Sequence, residues 1–144
     1  MRQNPIMEIL LKENGQTMTL AGENCQVTMT PCSGTVKSEF FTGVVEPCSS
    51  ATQLVDAARV HRISARIMMT GKDLGGNAVH VYAEINGGQD QPGEPAVFRT
   101  VPVFYTDSLV LTPYLHCNQF FGEVTVEKDG LRVVLYEVRH GTTI

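Results

Sequence analysis

The sequence predicts one all-β domain, a closed antiparallel β-barrel. Turn signals recur about every eight to fifteen residues, and the segments between them are rich in Val, Ile, Thr, Phe and Tyr, as in antiparallel sheets. The 144 residues make one domain, 1–144. Many short strands without a repeat favour a barrel, because closure removes exposed strand edges. An open two-sheet sandwich is the alternative.

The predicted strands are bounded by turn residues. Asn14-Gly15 suits the type I′ turn of a hairpin between Ile6–Leu11 and Gln16–Ala21, because both central residues of that turn need positive φ. The other predicted strands are Gln26–Thr30, Thr35–Val45, Ile63–Thr70, Val79–Ile85, Ala96–Tyr105, Phe120–Lys128 and Leu131–Val138.

Three segments connect or interrupt these strands. Gly75-Gly76-Asn77 predicts a looser turn, and Gly87–Pro95 predicts an exposed loop. Ser50–Arg59 competes as a short capped helix, since Ser precedes Leu54 and two alanines. A helix of that length does not change the fold class.

Composition excludes several classes of protein. Hydrophobic residues make up 42% and charged residues 18%, which is typical of a globular domain. Eleven Lys and Arg against fifteen Asp and Glu give a net charge of −4, without a block of either sign, so we expect no nucleic-acid partner. No apolar run reaches the roughly 18 residues of a transmembrane helix, and no secretion signal is visible. We therefore expect no membrane partner and a cytoplasmic location.

The cysteines predict neither disulfides nor a metal site. Cys25, Cys32, Cys48 and Cys117 include no C-x-x-C pair and lie in a chain that is not disulfide-dense, so we interpret them as free thiols. The spacing of the histidines does not complete a zinc site. Nucleotide-binding, nucleophile-elbow and zinc-protease signatures are absent, so no cofactor is expected and an enzyme is neither indicated nor excluded.

Glu137 becomes a candidate through the register expected for the last hairpin. If Asp129-Gly130 is a two-residue loop, Lys128 faces Leu131 and, by alternation, Gly122 faces Glu137 on the apolar face. A carboxylate with open space opposite it suits acid–base chemistry or ligand binding. The alternative is that the strand emerges into solvent at Glu137.

The hairpin from Arg62 to Ile85 has an aliphatic face and a polar face, and the polar face carries Arg66, His80, Tyr82 and Glu84. In one interpretation the aliphatic face is core and the polar face is solvated. In the other, the polar face lines a lumen and binds a small ligand, while the aliphatic face is covered by another layer or subunit. Periodicity does not separate the two, and the second predicts a homo-oligomer.

Other polar and aromatic side chains extend the candidate site. Arg99 lies between strong strand residues, where it either clamps a carboxylate or reaches out to solvent. Tyr105, Tyr114 and His116 flank a turn marked by Thr112-Pro113 and are candidates for a barrel mouth.

An ordered series of short segments covers about two thirds of the chain and resembles an uncharacterised microbial family, the domain of unknown function three-two-three-seven. The segments are Thr42-Gly43-Val44 leading to Gln53, Ser64-Ala65-Arg66, Thr70-Gly71-Lys72-Asp73, Glu84-Ile85-Asn86-Gly87-Gly88, Phe98–Phe104, Phe120-Phe121-Gly122 and Tyr136-Glu137-Val138. Ile67 and the run Leu115-His116-Cys117-Asn118 depart from that pattern. The resemblance implies a small closed β-barrel, allene-oxide-cyclase-like or calycin-like in fold, with a strand and turn rather than a helix at Gln53–Arg59. It implies no reaction, because fold does not determine function.

These observations lead to three functional hypotheses. The first is a soluble barrel that binds a small, partly apolar ligand in its lumen through Arg66, His80, Tyr82, Glu84, Arg99 and Glu137. The second is an isomerase or cyclase that acts on a small molecule inside the barrel, with Glu137 or Glu84 as the acid–base group. The third is a structural barrel whose interior is filled by side chains.

Overall fold

The computed structural model describes residues 4–89, 96–116 and 119–138, which form ten β-strands and one short α-helix. The elements are β1 (Met7–Glu13), β2 (Met18–Ala21), β3 (Gln26–Ser38), β4 (Phe41–Val55), β5 (His61–Asp73), β6 (Ala78–Gln89), β7 (Val97–Thr100), β8 (Val103–Thr106), α1 (Thr112–Leu115), β9 (Phe120–Glu127) and β10 (Gly130–Glu137).

The strands close into an eight-stranded antiparallel barrel, as predicted. Around the ring the order is β1, β10, β9, β7 with β8, β6, β5, β4, β3 and back to β1. β7 and β8 pair with successive parts of β6 and act as one strand interrupted at Val101 and Pro102. Proline has no backbone N–H to give to a ladder, which suits this interruption. Because the ring closes, the open-sandwich alternative is wrong.

The predicted Asn14-Gly15 hairpin is wrong. Within the described residues β1 and β2 do not pair with each other, and both lie along the same edge of β3, with Glu13 opposite Cys32 and Met18 opposite Met29. The chain therefore continues in the same direction along β3, with a short break between β1 and β2, and does not reverse at Asn14-Gly15. The reversal comes later, where the N–H of Gly22 donates to the carbonyl of Cys25 at 2.8 Å.

The helix alternative for Ser50–Arg59 is also wrong, because β4 continues to Val55. The strand and turn implied by the family resemblance are what the structure contains. β4 bulges between Val45 and Ser49, where Pro47 interrupts the ladder and the register shifts against both neighbouring strands.

The β9–β10 hairpin has a different register from the predicted one. Its two-residue loop is Lys128-Asp129, so Glu127 lies opposite Gly130 and every later pair is displaced by two residues. Glu137 consequently lies opposite Phe120, not opposite Gly122. The displacement keeps each side chain on its predicted face, because the faces of a strand repeat every two residues.

Aliphatic side chains fill the middle of the barrel. On β5 and β6 the inward residues Ile67, Met69, Val81, Ala83 and Ile85 are all 0% exposed. The aliphatic face of this hairpin is therefore the core, which confirms the first interpretation of its two-faced pattern. An eight-stranded barrel is just wide enough to be filled in this way.

Large side chains and α1 close one end of the barrel, which we call the closed end. Phe41, Phe104 and Phe120 are buried there, and the rings of Phe104 and Phe120 meet edge to face at 5.2 Å. Leu111 and Leu115 are buried from the α1 segment. The opposite end, where β1 ends and β10 begins, has no such plug in the described residues, and we call it the mouth.

The turn between β5 and β6 forms as predicted. Asp73 Oδ1 accepts hydrogen bonds from the backbone N–H groups of Gly75 and Asn77, both at 2.9 Å. Gly76 has a φ of 83°, which glycine adopts without strain. The predicted loop Gly87–Pro95 is strand up to Gln89, and its remainder lies outside the described residues.

Candidate functional site

The polar residues singled out on β5 and β6 lie on the outer surface of the barrel. Arg66 is exposed, His80 has 59% of its side chain exposed, and Tyr82 and Glu84 are half-buried on the same outer face. The hypothesis that this face lines the lumen is thus corrected. The aliphatic residues of the same strands fill the interior instead, because removing apolar surface from water stabilises the fold.

These outer residues contact one another. The hydroxyl of Tyr82 donates to Glu84 Oε1 at 3.1 Å, and Glu84 lies opposite Arg66 in the β5–β6 ladder. Burial, followed by the hydrogen bond to Glu84, raises the pKa of Tyr82 above its ordinary value of 10.0. The raised pKa keeps the tyrosine protonated, and its hydrogen bond joins two side chains of β6 on the outer face.

His80 belongs to a separate outer contact with Asp107. His80 Nδ1 lies 2.6 Å from Asp107 Oδ2, and the backbone N–H of His80 donates to Asp107 Oδ1 at 2.9 Å. The backbone N–H bond and then the imidazole lower the pKa of Asp107 below its ordinary 3.8. This pair fastens the segment after β8 to the start of β6.

Of the two remaining candidates, Arg99 lies on the outer face and Glu137 lies at the end of β10. Arg99 is exposed on β7, opposite Glu123 of β9. Glu137 is half-buried at the closed end, opposite Phe120. The expected open space above Gly122 does not exist, because Leu135 occupies it.

A cavity of 220 Å³ opens at the mouth, and we call it the mouth cavity. Its inner wall is formed by Leu11, Cys32, Ala51 and Leu131, all of which are buried. On β3 and β4 the inward residues here are the short Cys32 and Ala51, whereas toward the closed end the same two strands carry larger buried residues. This is the part of the lumen that side chains do not fill.

Hydrogen-bonding groups stand one layer above this apolar wall. Gln53, on the inner face of β4, lines the cavity, and its Oε1 lies 3.2 Å from Nε2 of His61. The His61 ring in turn meets Phe98 edge to face at 4.7 Å. Thr30 also lines the cavity, and its hydroxyl oxygen accepts a hydrogen bond from the hydroxyl of Thr17 at 3.2 Å.

Four charged side chains form the rim of the mouth cavity. Lys12, Glu13, Glu127 and Lys128 line it, and all four residues are exposed. The rim therefore carries two positive and two negative charges that remain in water. Within the described residues, no ionic group lies in the buried part of the cavity wall.

Cys32 brings a thiol to the inner wall. It is 3% exposed, and burial raises its pKa from the ordinary 9.0 to about 11. A thiol with that pKa is protonated at neutral pH and acts as a small apolar side chain rather than as a nucleophile. Cys25 and Cys48 are also free, as predicted, and both are exposed, whereas Cys117 lies outside the described residues.

A second, larger space of 590 Å³ lies on the outside, where β8 separates from β9. Tyr105 and His116, two of the aromatic residues noted in the sequence, line this groove, and His116 Nε2 accepts from the N–H of Thr106 at 3.0 Å. Tyr114 instead packs against Phe40. Because Val101 is 70% exposed and Tyr105 57%, the groove is a surface trough and not an enclosed site.

Two kinds of feature were sought in the part of the chain that the structure describes, a cluster of metal-ligating side chains and a membrane-spanning helix. No three His, Cys, Asp or Glu side chains there come together in a way that would hold a metal ion. None of the helices in these residues has the length and apolar character needed to span a bilayer.

Sequence reasoning did not select the residues of the mouth cavity. Small residues such as Ala51 and Cys32 give no sign of whether a neighbour fills the space beside them. Gln53 entered only through the family resemblance. A weak signal was present, because the inward positions near one end of β3 and β4 carry Thr, Cys, Ala and Gln where other strands carry Ile, Met and Val.

Several solved structures share this fold. A protein of unknown function from Clostridium acetobutylicum matches with a TM-score of 0.78 and 20% identity, over 94% of this chain and 95% of its own. A conserved protein of unknown function from Rhodopseudomonas palustris matches with a TM-score of 0.71 and 19% identity, over 92% and 94% of the two chains. A beta-barrel-like protein from Acinetobacter baumannii matches with a TM-score of 0.72 and 14% identity, over 94% of each chain.

These similarities show the barrel fold alone, since all three identities are low and fold does not determine function. No protein-family model matches the sequence, and no curated protein matches it.

Proposed function

We propose that this barrel binds a small, partly apolar molecule at the mouth of its lumen. The observation that carries the proposal is the mouth cavity itself, 220 Å³ of space beside the buried inward side chains of the core. Interiors of folded proteins are close-packed, so an accessible space of this size beside the core is unusual and suits a bound molecule.

The chemistry of the cavity suits such a ligand. Its wall is apolar at Leu11, Ala51 and Leu131, while Gln53 and Thr30 offer hydrogen bonds one layer nearer to solvent. Small-molecule sites typically combine an apolar lining with a few placed polar groups. A molecule bound here would bury its apolar part against the wall and direct its polar part to the rim.

Binding, rather than catalysis, is the function that this geometry supports. The cyclase hypothesis assigned acid–base chemistry to Glu137 or Glu84. Glu84 is on the outer surface, and Glu137 is six residues along β10 from Leu131, or about 20 Å at the rise of a β-strand. Neither carboxylate reaches a ligand in the mouth cavity.

The homo-oligomer expected from the sequence remains a prediction, but its reason changes. The aliphatic face of the Arg62–Ile85 hairpin is inside the barrel and needs no subunit to cover it. Val103 and Tyr105 on the outside of β8, and Val101 just before that strand, are instead exposed, and patches of this kind mark interaction sites. Light scattering that gives about 16 kDa at micromolar concentration would contradict an oligomer.

The binding proposal is tested by native mass spectrometry of freshly purified protein, with two matched variants. Ala51→Leu adds a side chain on the inner face of β4 and fills the cavity. Thr52→Leu adds the same side chain on the outer face, one residue along. We expect the wild type and Thr52→Leu to retain or take up a small molecule and Ala51→Leu to lose it. A wild type that neither carries nor takes up any compound from a set of one-ring apolar molecules would instead indicate a structural barrel.

A further inference from the structure

The volume of the mouth cavity limits what it holds. An apolar cavity of about 150 Å³ is known to bind benzene. At 220 Å³, the mouth cavity is somewhat larger and holds a single ring with a short substituent. The buried residues Leu11, Ala51 and Leu131 bound that space from below, so a longer ligand would have to extend outward into water.

The distribution of charge selects against an ionic ligand. Lys12 and Lys128 are balanced at the rim by Glu13 and Glu127, and all four are exposed. A ligand charge placed beside the buried wall would lose its hydration without gaining an ionic partner, which is costly. The part of the ligand that enters the cavity is therefore uncharged.

The polar groups of the cavity offer two hydrogen-bond donors to a ligand. Oε1 of Gln53 already contacts His61, and the amide NH₂ of Gln53 can donate to a ligand. The oxygen of Thr30 already accepts from Thr17, and the hydroxyl proton of Thr30 can donate. Both residues line the cavity from neighbouring strands, so a ligand oxygen there can accept from both.

We infer that the ligand is an uncharged molecule of about one ring that carries a carbonyl or hydroxyl oxygen bound by Gln53 and Thr30. This inference rests on the proposed function, since it specifies the ligand of the same site.

Four probes of matched size test the ligand class at pH 7. Acetophenone has a ring and a carbonyl oxygen, ethylbenzene lacks the oxygen, benzoate is an anion and benzylammonium is a cation. Dissociation constants are measured by ligand-observed NMR titration of the full chain. We expect acetophenone to bind most tightly, ethylbenzene about 25-fold more weakly, as two lost hydrogen bonds predict, and the two ions more weakly still.

Variants of the two donors assign the hydrogen bonds. Gln53→Leu and Thr30→Val each remove one donor at nearly constant size. We expect each to weaken acetophenone binding about fivefold and to leave ethylbenzene binding unchanged. Thermal melts of both variants show whether they are folded, and the comparison of probes on the wild type does not depend on them.

The outcomes separate the inference from the proposed function. Benzoate or benzylammonium that binds more tightly than acetophenone, at a site lost in Ala51→Leu, would overturn the ligand class and leave the binding proposal standing. Equal affinity for acetophenone and ethylbenzene would overturn the role of Gln53 and Thr30. Binding that is unaffected by Ala51→Leu, or no binding of any probe, would overturn both.

Discussion

Leu135 lies directly opposite Gly122 in the β9–β10 ladder, and its side chain occupies the space that a side chain on Gly122 would need. A Cβ atom built on Gly122 would stand 2.7 Å from Cδ2 of Leu135 and 2.2 Å from the carbonyl oxygen of Val134. The glycine is therefore required by close packing in the middle of the barrel, and it does not provide room for a ligand.

The first prediction follows from this contact. Gly122→Ala should lower the free energy of unfolding by about 2 kcal/mol, because overpacking a full core forces its neighbours to shift, and the melting temperature should fall by about 8 °C. Gly88→Ala is the matched control, since the nearest atom to its added Cβ is 4.0 Å away. Equal melting temperatures for the two variants would contradict the packing described here.

The β9–β10 register shows what the sequence predicts and what it leaves open. Alternation assigned the inner and outer faces of both strands correctly. It did not fix the partners, because a displacement of two residues preserves every face. Only the turn residues distinguish the two registers, and Lys128-Asp129 and Asp129-Gly130 both suit a two-residue loop.

The second prediction concerns the plug at the closed end. Leu115 is 3% exposed at the end of α1. Leu115→Ala should destabilise the protein by about 2–5 kcal/mol, since it leaves a cavity among buried side chains. Leu109→Ala removes the same atoms from a residue that is 89% exposed, and should be neutral to within about 0.5 kcal/mol. Urea unfolding of both variants measures the difference, and a neutral Leu115→Ala would show that α1 does not close the barrel.

The third prediction is a pH dependence at the β5–β6 turn. The backbone N–H of Asn77 is the main cause that lowers the pKa of Asp73 below its ordinary 3.8. Because the folded-state pKa is lowered, the ionised carboxylate stabilises the fold above the ordinary pKa, and this is lost as pH falls through the lowered value. The melting temperature of the wild type should exceed that of Asp73→Asn at pH 7, and the gap should shrink below about pH 4. A gap that stays constant from pH 7 to pH 2.5 would contradict this role.

The fourth prediction concerns thiol reactivity. Burial raises the pKa of Cys32 to about 11, whereas Cys25 and Cys48 are exposed. Only the thiolate reacts with iodoacetamide, so at pH 8 Cys32 should be alkylated at least about 100-fold more slowly than the two exposed thiols. Peptide mass spectrometry over time measures the three rates. Similar rates at Cys32 and Cys25 would mean that the inner wall of the mouth cavity is open to reagents.

The candidate site was less predictable than the fold. The two-faced pattern of Arg62–Ile85 indicated a sheet that is buried on one side. Periodicity alone does not show whether the polar face or the aliphatic face of such a sheet lines the interior of a barrel. Arg66, His80, Tyr82 and Glu84 lie outside because the interior of this barrel is too narrow for a hydrated lumen. The volume of the mouth cavity depends on the sizes of side chains from several strands, so it cannot be predicted from any single segment of the sequence.

Likewise, Asn14-Gly15 is a favourable hairpin dipeptide, yet in the structure it lies in the short break between β1 and β2, where the chain does not reverse. Both β1 and β2 find a partner along the same edge of β3, and the N–H of Asn14 donates to the carbonyl of Pro31 at 3.1 Å. Pairing with a long strand elsewhere in the chain thus outweighs the local preference of the turn.

The most direct test of the binding proposal is an NMR titration of the wild type, labelled at the methyl groups of Ala, Leu and Val, with acetophenone. The account predicts shift changes that saturate at Leu11, Ala51 and Leu131 of the mouth cavity, while Val103 beside the outer groove and Leu115 of the closed-end plug stay unchanged. Shift changes confined to Val103 and Leu115, or no saturable change at any methyl group, would contradict it.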